Sequence, residues 1–167
     1  MKTLLVMDTK DYDDSLPEIK RVAIRGIIYH DNKLLMIESN IGDVKFPGGG
    51  VEIDKSDIET LLREVREKTG YQVLKDSIRE YGQLEEKRHS FKDMIWHQIN
   101  RYYFCQVGEE QGKPNYSDNE KKHGMKPVWI TIEQSLAQIE NAIATENINA
   151  WSCREYNVLK LLEKDLQ

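Results

Sequence analysis

The sequence contains no run of apolar residues approaching the roughly 18 to 20 that a membrane-spanning helix needs, which excludes an integral helical membrane protein. Positive charge is not in excess either. Lys and Arg number 24 against 29 Asp and Glu, and the formal net charge is −5. A broad basic surface for nucleic acid is therefore excluded. A small anionic substrate is not, because a bound divalent cation can supply attraction locally. Cysteine is scarce: Cys105 and Cys153 stand alone, without a CxxC spacing. That rules out a disulfide framework and predicts reduced core or near-core thiols in a cytoplasmic protein. His30, His89, His97 and His123 form neither an HExxH nor a Cys–His zinc pattern and read as surface or partly buried residues. Also absent are the G-x-x-x-x-G-K-[ST] phosphate loop and the G-x-S-x-G nucleophile elbow. The apolar start, Met1 to Met7, meets Asp8 and the acidic run Asp11 to Asp14 at once. It reads as a short strand or arm within about residues 1–20, not as a secretory signal.

What is present fits one core. A chain of 167 residues, 39% hydrophobic and 32% charged, predicts a single mixed α/β domain over 1–167. Arg21 to His30 and Lys33 to Glu38 read as a hairpin around Asp31-Asn32. Tyr71 to Leu74, Ile78 to Leu84, Ile99 to Val107 and Pro127 to Ile130 read as strands, and Gly108 to His123 as a loop. Thr131 to about Ala144 and Ser152 to Lys164 read as helices. Trp96, Tyr102, Tyr103 and Phe104 are taken as core or sheet-face residues; one of them, or Phe46, could stack on a base.

The most informative segment is Pro47 to Tyr71. Pro47 and Gly48, Gly49 and Gly50 stop regular structure and let backbone approach a ligand closely. Ser56 and Glu59 form a capping-box pattern, and Gly70 is the expected terminator. Between them, Ile58, Leu61, Leu62 and Val65 recur at helical spacing as an apolar stripe. At about 100° per residue, Glu64 lies roughly 110° from the stripe centre and Glu67 roughly 170°. Glu64 is therefore expected at the helix shoulder, with Glu67 farther out. Paired carboxylates with loop carbonyls make an all-oxygen site suited to Mg²⁺ or Mn²⁺. On a helix alone such charges usually form only a solvated face.

This segment resembles the Nudix box, G-x5-E-x7-R-E-U-x-E-E-x-G-U, where U is aliphatic or otherwise bulky and apolar. Gly49, Arg63, Glu64, Val65, Glu67, Gly70 and Tyr71 match at the right spacing. The preceding hairpin and the Pro127 to Ile130 strand leading into a helix extend the resemblance over most of the chain. It implies a Nudix-type α/β/α sandwich with a mixed β-sheet. The implied activity is metal-assisted attack of water on phosphorus in a nucleoside diphosphate linked to another moiety, with a nucleotide-like phosphorylated substrate. By the same resemblance Glu64 acts in metal binding or as base, Glu67 and the Gly49 carbonyl bind metal, and Arg63 positions a glutamate. Gly48, Gly50, Glu52 and Lys68 are candidates for substrate contact. A homodimer is left open.

Two positions depart from the pattern: Lys55 and Lys68 stand where glutamates are expected. Lys68, four residues from Glu64, turns a chelating pair into an ion-pair candidate. Three readings follow: weaker metal binding, direct phosphate contact by Lys68, or a nucleotide- or metabolite-binding regulatory module without hydrolysis. The resemblance also implies that another base or metal ligand comes from a loop after the box. Glu109 and Glu110 are the first candidates, ahead of Glu85, Glu86 and Glu120.

Overall fold

A computed structural model describes the whole chain, Met1–Gln167. Its strands are β1 (Thr3–Asp8), β2 (Glu18–Ile27), β3 (Tyr29–His30), β4 (Lys33–Glu38), β5 (Val44–Lys45), β6 (Gly48–Gly50), β7 (Tyr71–Val73), β8 (Arg79–Ser90), β9 (Met94–Phe104), β10 (Val107–Gln111) and β11 (Lys126–Ile130). The helices are α1 (Asp57–Thr69), α2 (Asp118–Lys122), α3 (Ile132–Ala144) and α4 (Ser152–Asp165). The main sheet runs β1-β8-β9-β2-β6, and mixes parallel pairs (β1/β8, β9/β2) with antiparallel ones (β8/β9, β2/β6). A second sheet runs β11-β4-β3 with β5 beside β4, and β10 pairs with β7. No helix is long and apolar enough to cross a membrane.

The register of β2 against β9 explains the two faces of the main sheet. Ile24 and Tyr103 lie on the side covered by α1, where they pack with Leu61 and Val65. Ile27, Leu84 and Tyr102 face α3 and α4 and join Leu136, Ile139, Val158, Leu159 and Leu162. Side chains alternate along strands, so Arg21, Ala23, Arg25 and Ile27 share that second face. The helices cover its apolar end and leave its polar end, Arg21 and Arg25 with Gln98 and Glu86, facing a cavity.

Three readings of the sequence change here. The Arg21–His30 run is not one arm of a hairpin. Most of it is β2 in the main sheet, and only Tyr29 and His30 pair with β4, across a tight turn in which Asp31 and Asn32 have φ of 48° and 61°. Apolar runs do not say which sheet they serve, so the switch near Ile28 was invisible. The segment read as a loop from Gly108 contains most of β10 and all of α2. Ser117 caps α2 reciprocally with Glu120, a signal present in the sequence but short. Finally, Cys153 is exposed, whereas Cys105 is buried; both are unpaired.

Candidate functional site

Local sequence signals fix α1 in place. Ser56 Oγ accepts from the Glu59 amide at 3.1 Å, and Glu59 Oε2 accepts from the Ser56 amide at 2.8 Å. Gly70, at φ 80°, ends the helix in the left-handed region. Asp57 in the first turn accepts from Arg101 at 3.0 Å and from the Tyr103 hydroxyl at 2.6 Å, which ties the helix start to β9. The buried stripe is Leu61 and Val65, while Ile58 and Leu62 remain partly exposed. The covered face is thus rotated toward Glu64. The residue expected on the helix shoulder is buried, with its side chain 8% exposed.

Glu64 meets the edge of the main sheet at its thinnest point. Strand β6 is three glycines, and a Cβ at Gly49 would clash with the Glu64 carboxylate. A Cβ at Gly48 would collide with the Ile24 carbonyl oxygen. These positions need glycine because backbone and carboxylate share the space.

The structure brings most of the sequence candidates together. Arg63 Nη1 lies 2.8 Å from Glu64 Oε1 and 3.3 Å from Glu67 Oε2, and its Nη2 lies 3.5 Å from Glu52 Oε1. Burial disfavours the Arg63 charge, but Glu64, Glu67 and Glu52 together hold its pKa above the usual value. Lys68 Nζ sits 3.7 Å from Glu64 and 2.7 Å from Glu120. The Glu120 carboxyl pays a desolvation penalty, yet Lys68 and the Ser117 amide keep its pKa low. Among the later-loop candidates, Glu120 and Glu86 line the same cavity as Glu64. Glu109 and Glu110 are exposed on β10, away from it, and Glu85 pairs with His97. Lys55 is exposed in the turn before α1.

The cavity, of about 420 Å³, lies between the polar end of the sheet, β6, α1, α2 and the segment entering α4. That volume is in the range of small-ligand sites. Six Lys or Arg side chains line it (Arg21, Arg25, Lys45, Lys68, Arg88 and Arg154) against three carboxylates, Glu64, Glu86 and Glu120. Arg154 is bound to Glu155 and, at 3.0 Å, to Glu86; Asn100 donates to the same Glu86 oxygen at 2.8 Å. Burial opposes the Arg154 charge, but the neighbouring Glu155 and Glu86 carboxylates outweigh it and raise its pKa. Arg25 differs: burial, reinforced by Arg154, lowers its pKa to about 10. Burial and the Arg25 charge likewise lower Lys45 to about 8. Trp96 lies beneath the guanidiniums of Arg21 and Arg88 at about 6 Å, and Trp151 under Lys45 Nζ at 4.5 Å. Of these groups the sequence had singled out Lys68, Trp96 and the glutamates. Arg25 alone carried a missed signal, a charge inside the apolar run from Val22 to Ile28.

The donor set fits a divalent ion that arrives with its phosphates. Glu64, Glu67 and the Gly49 carbonyl offer only oxygen, which suits a hard cation, but Glu67 lies with Arg63 on the outer side of α1 and does not line the cavity. They do not form a complete protein cage. No group of three or more His, Cys, Asp or Glu side chains is arranged to hold a metal, and Arg63 and Lys68 already engage Glu64.

Comparison with known proteins agrees with this fold. The family model described as NUDIX domain matches residues 19–151. A Bacillus subtilis protein named putative ADP-ribose pyrophosphatase YjhB is 25% identical over 100 residues, 59% of this chain and 47% of that protein. The matched stretch thus spans about half the relative's length. A NUDIX hydrolase from Nitrosomonas europaea superposes with a TM-score of 0.55 at 21% identity, covering 72% of this chain and 78% of that one. A MutT NUDIX hydrolase from Burkholderia pseudomallei gives 0.54 at 16% identity, covering 69% and 85%. At these identities the two structures speak for the fold.

Proposed function

The chain belongs to the NUDIX family, and from that premise we propose that it hydrolyses a nucleoside diphosphate linked to another moiety, by attack of water on phosphorus. The observation that carries this reading is that Glu64, pressed against Gly49 and held by Arg63, opens into a cavity whose cationic side chains outnumber its carboxylates six to three. Glu64, Glu67 and the Gly49 carbonyl would hold Mg²⁺, with Mn²⁺ as a substitute, together with water and substrate oxygens. Bound there, the ion would neutralise phosphate charge and lower the pKa of a water.

The chain's own residues take the remaining roles. Glu64 orients and accepts a proton from the attacking water. Arg63 positions Glu64 by its 2.8 Å contact and restrains Glu67. Gly48 and Gly50 admit the diphosphate to the strand edge, and Lys68 offers it a point charge. Glu52 borders this edge through Arg63. Trp96 and Trp151 supply apolar faces for a nucleoside or its attached group. The unpaired thiols suit a cytoplasmic setting.

A second reading, a nucleotide- or metabolite-binding module without turnover, is favoured by the contacts of Lys68 with Glu64 and Glu120. These occupy the carboxylates that would otherwise act. A panel of nucleoside diphosphate conjugates decides between the two, beginning with ADP-ribose because of the Bacillus subtilis relative's name. With Mg²⁺ or Mn²⁺, turnover that disappears in Glu64→Gln supports hydrolysis. No turnover, with thermal stabilisation by the same compounds, supports the binding module.

A further inference from the structure

The second wall of the cavity carries charge that the box does not explain. Arg21, Arg25, Lys45 and Arg88 line it, and none of them has a carboxylate partner within 4.0 Å. Arg25 is only 6% exposed, and its Nε is buried without a hydrogen-bond partner. The indole Nε1 of Trp151, another lining residue, is also buried and unpartnered. Guanidinium and indole nitrogens donate and cannot accept. Unpaired buried donors are costly and need an acceptor in the functional state. A ligand that satisfies several donors while bringing none of its own is an anion.

The nearest structural explanation falls short. Glu155 and Glu86 could in principle balance this wall, but both are committed to Arg154. Lys45 has the face of Trp151 beneath it, yet that contact leaves its ammonium hydrogens without acceptors. In a protein of net charge −5, cations left unpaired around one cavity mark a place built for negative charge.

We propose that Arg25 and Lys45, with Arg21 and Arg88 at the rim, form an anion subsite that binds a phosphate or diphosphate group directly, without a divalent ion. The proposal rests on the same cavity as the hydrolase reading but not on hydrolysis. It deepens that reading by specifying a ligand whose anionic groups reach beyond the box to the far wall. Spread over 420 Å³, such a ligand carries charge at both walls, as a diphosphate with a further anionic group would.

The test is calorimetric titration of the full chain with inorganic pyrophosphate in EDTA. The wild type is expected to bind, Lys45→Gln to bind at least tenfold more weakly, and Arg25→Gln likewise if it folds. Lys20→Gln removes the same charge from an exposed site, with its side chain 75% exposed, and is expected to match the wild type. Binding that requires added Mg²⁺ would overturn the proposal. So would a Lys45→Gln protein that is folded by circular dichroism and binds as tightly as wild type, or an equal loss in Lys20→Gln. Turnover plays no part in the titration. A chain that binds pyrophosphate in EDTA but hydrolyses nothing upholds the subsite and removes the hydrolase reading. One that hydrolyses a conjugate without metal-free pyrophosphate binding does the reverse.

Discussion

The two walls of the cavity solve charge in opposite ways. On the α1 side the two charges that line the cavity, Glu64 and Lys68, are answered locally: Lys68 spans Glu64 and Glu120, and Arg63, on the outer side of the helix, spans Glu52, Glu64 and Glu67. On the sheet wall Arg154 is neutralised by Glu86 and Glu155, while Arg25 and Lys45 are left without carboxylate partners. The first wall is built from residues within sixteen positions plus Glu120. The second draws on β2, β5, β8 and α4, far apart in the chain. A self-balanced wall can hold a reacting group in place, and an unbalanced one can hold an anion against it. The following experiments separate those roles.

The largest effect is expected in the neutralised part of the sheet wall. Glu155 is fully buried and engaged by Arg154, so Glu155→Ala leaves a buried guanidinium with only Glu86. Removing one partner of such a pair costs about 3–5 kcal/mol. Urea denaturation should show that loss; a change below about 1 kcal/mol would mean that this network does not hold the wall together. On the opposite wall, Glu64→Gln removes the proposed proton acceptor while keeping its shape. Turnover should fall at least about 100-fold with the fold intact, as judged by circular dichroism and kcat/KM together. Retained turnover would remove Glu64 from the chemistry.

A smaller effect sharpens the comparison from the other side. Lys68→Glu puts a third carboxylate beside Glu64 and Glu120, both within 4.0 Å of the present ammonium. Divalent binding, read by isothermal titration with Mn²⁺, should tighten by about tenfold, the order expected for one added charge near a partly screened site. If Mn²⁺ binding improves while turnover is lost, Lys68 acts on the substrate directly. If Mn²⁺ binding is unchanged, the lysine is not what limits the metal site.

How far the sequence foretold each wall follows from chain distance. The α1 wall was legible because its signals are local: the Ser56–Glu59 capping box, the Gly70 terminator and the Arg63, Glu64, Glu67 and Lys68 spacing lie on one helix. What it missed was depth. The apolar stripe placed Glu64 at the shoulder, beside a possible cleft, and it does line the cavity, but the stripe could not show how closely the glycine strand packs against its carboxylate. The sheet wall was illegible for a different reason. Arg25 and Arg154 are 129 positions apart and meet only through the parallel pairing of β2 with β9 and the packing of α4. The same pairing split the expected hairpin. Neither periodicity nor charge counting can report which distant cations will share a cavity. A lone arginine inside an apolar strand is the one clue the sequence offered.

The subtlest prediction uses pH to read the unbalanced wall without mutating it. Lys45 faces Arg25 from β2, Glu120 from α2, and Arg154 and Glu155 from α4, with Trp151 beneath its ammonium. Burial and the Arg25 charge hold its pKa at about 8, below the ordinary 10.5. Between those values the unfolded chain keeps a proton that the folded chain has released. Stability without ligand therefore rises with pH across about 8 to 10.5, as the cost of a buried ammonium is relieved. Anion binding has the opposite sign. It needs the charged form, so pyrophosphate affinity in EDTA should be highest below pH 8 and should weaken by a few-fold on going to pH 9. Pyrophosphate itself only gains negative charge over that range, which would strengthen attraction to the wall if no protein cation were being lost. A fall in affinity with rising pH that vanishes in Lys45→Gln assigns the lost charge to Lys45. Affinity that stays flat or rises in the wild type would mean that the anion is held by the arginines alone.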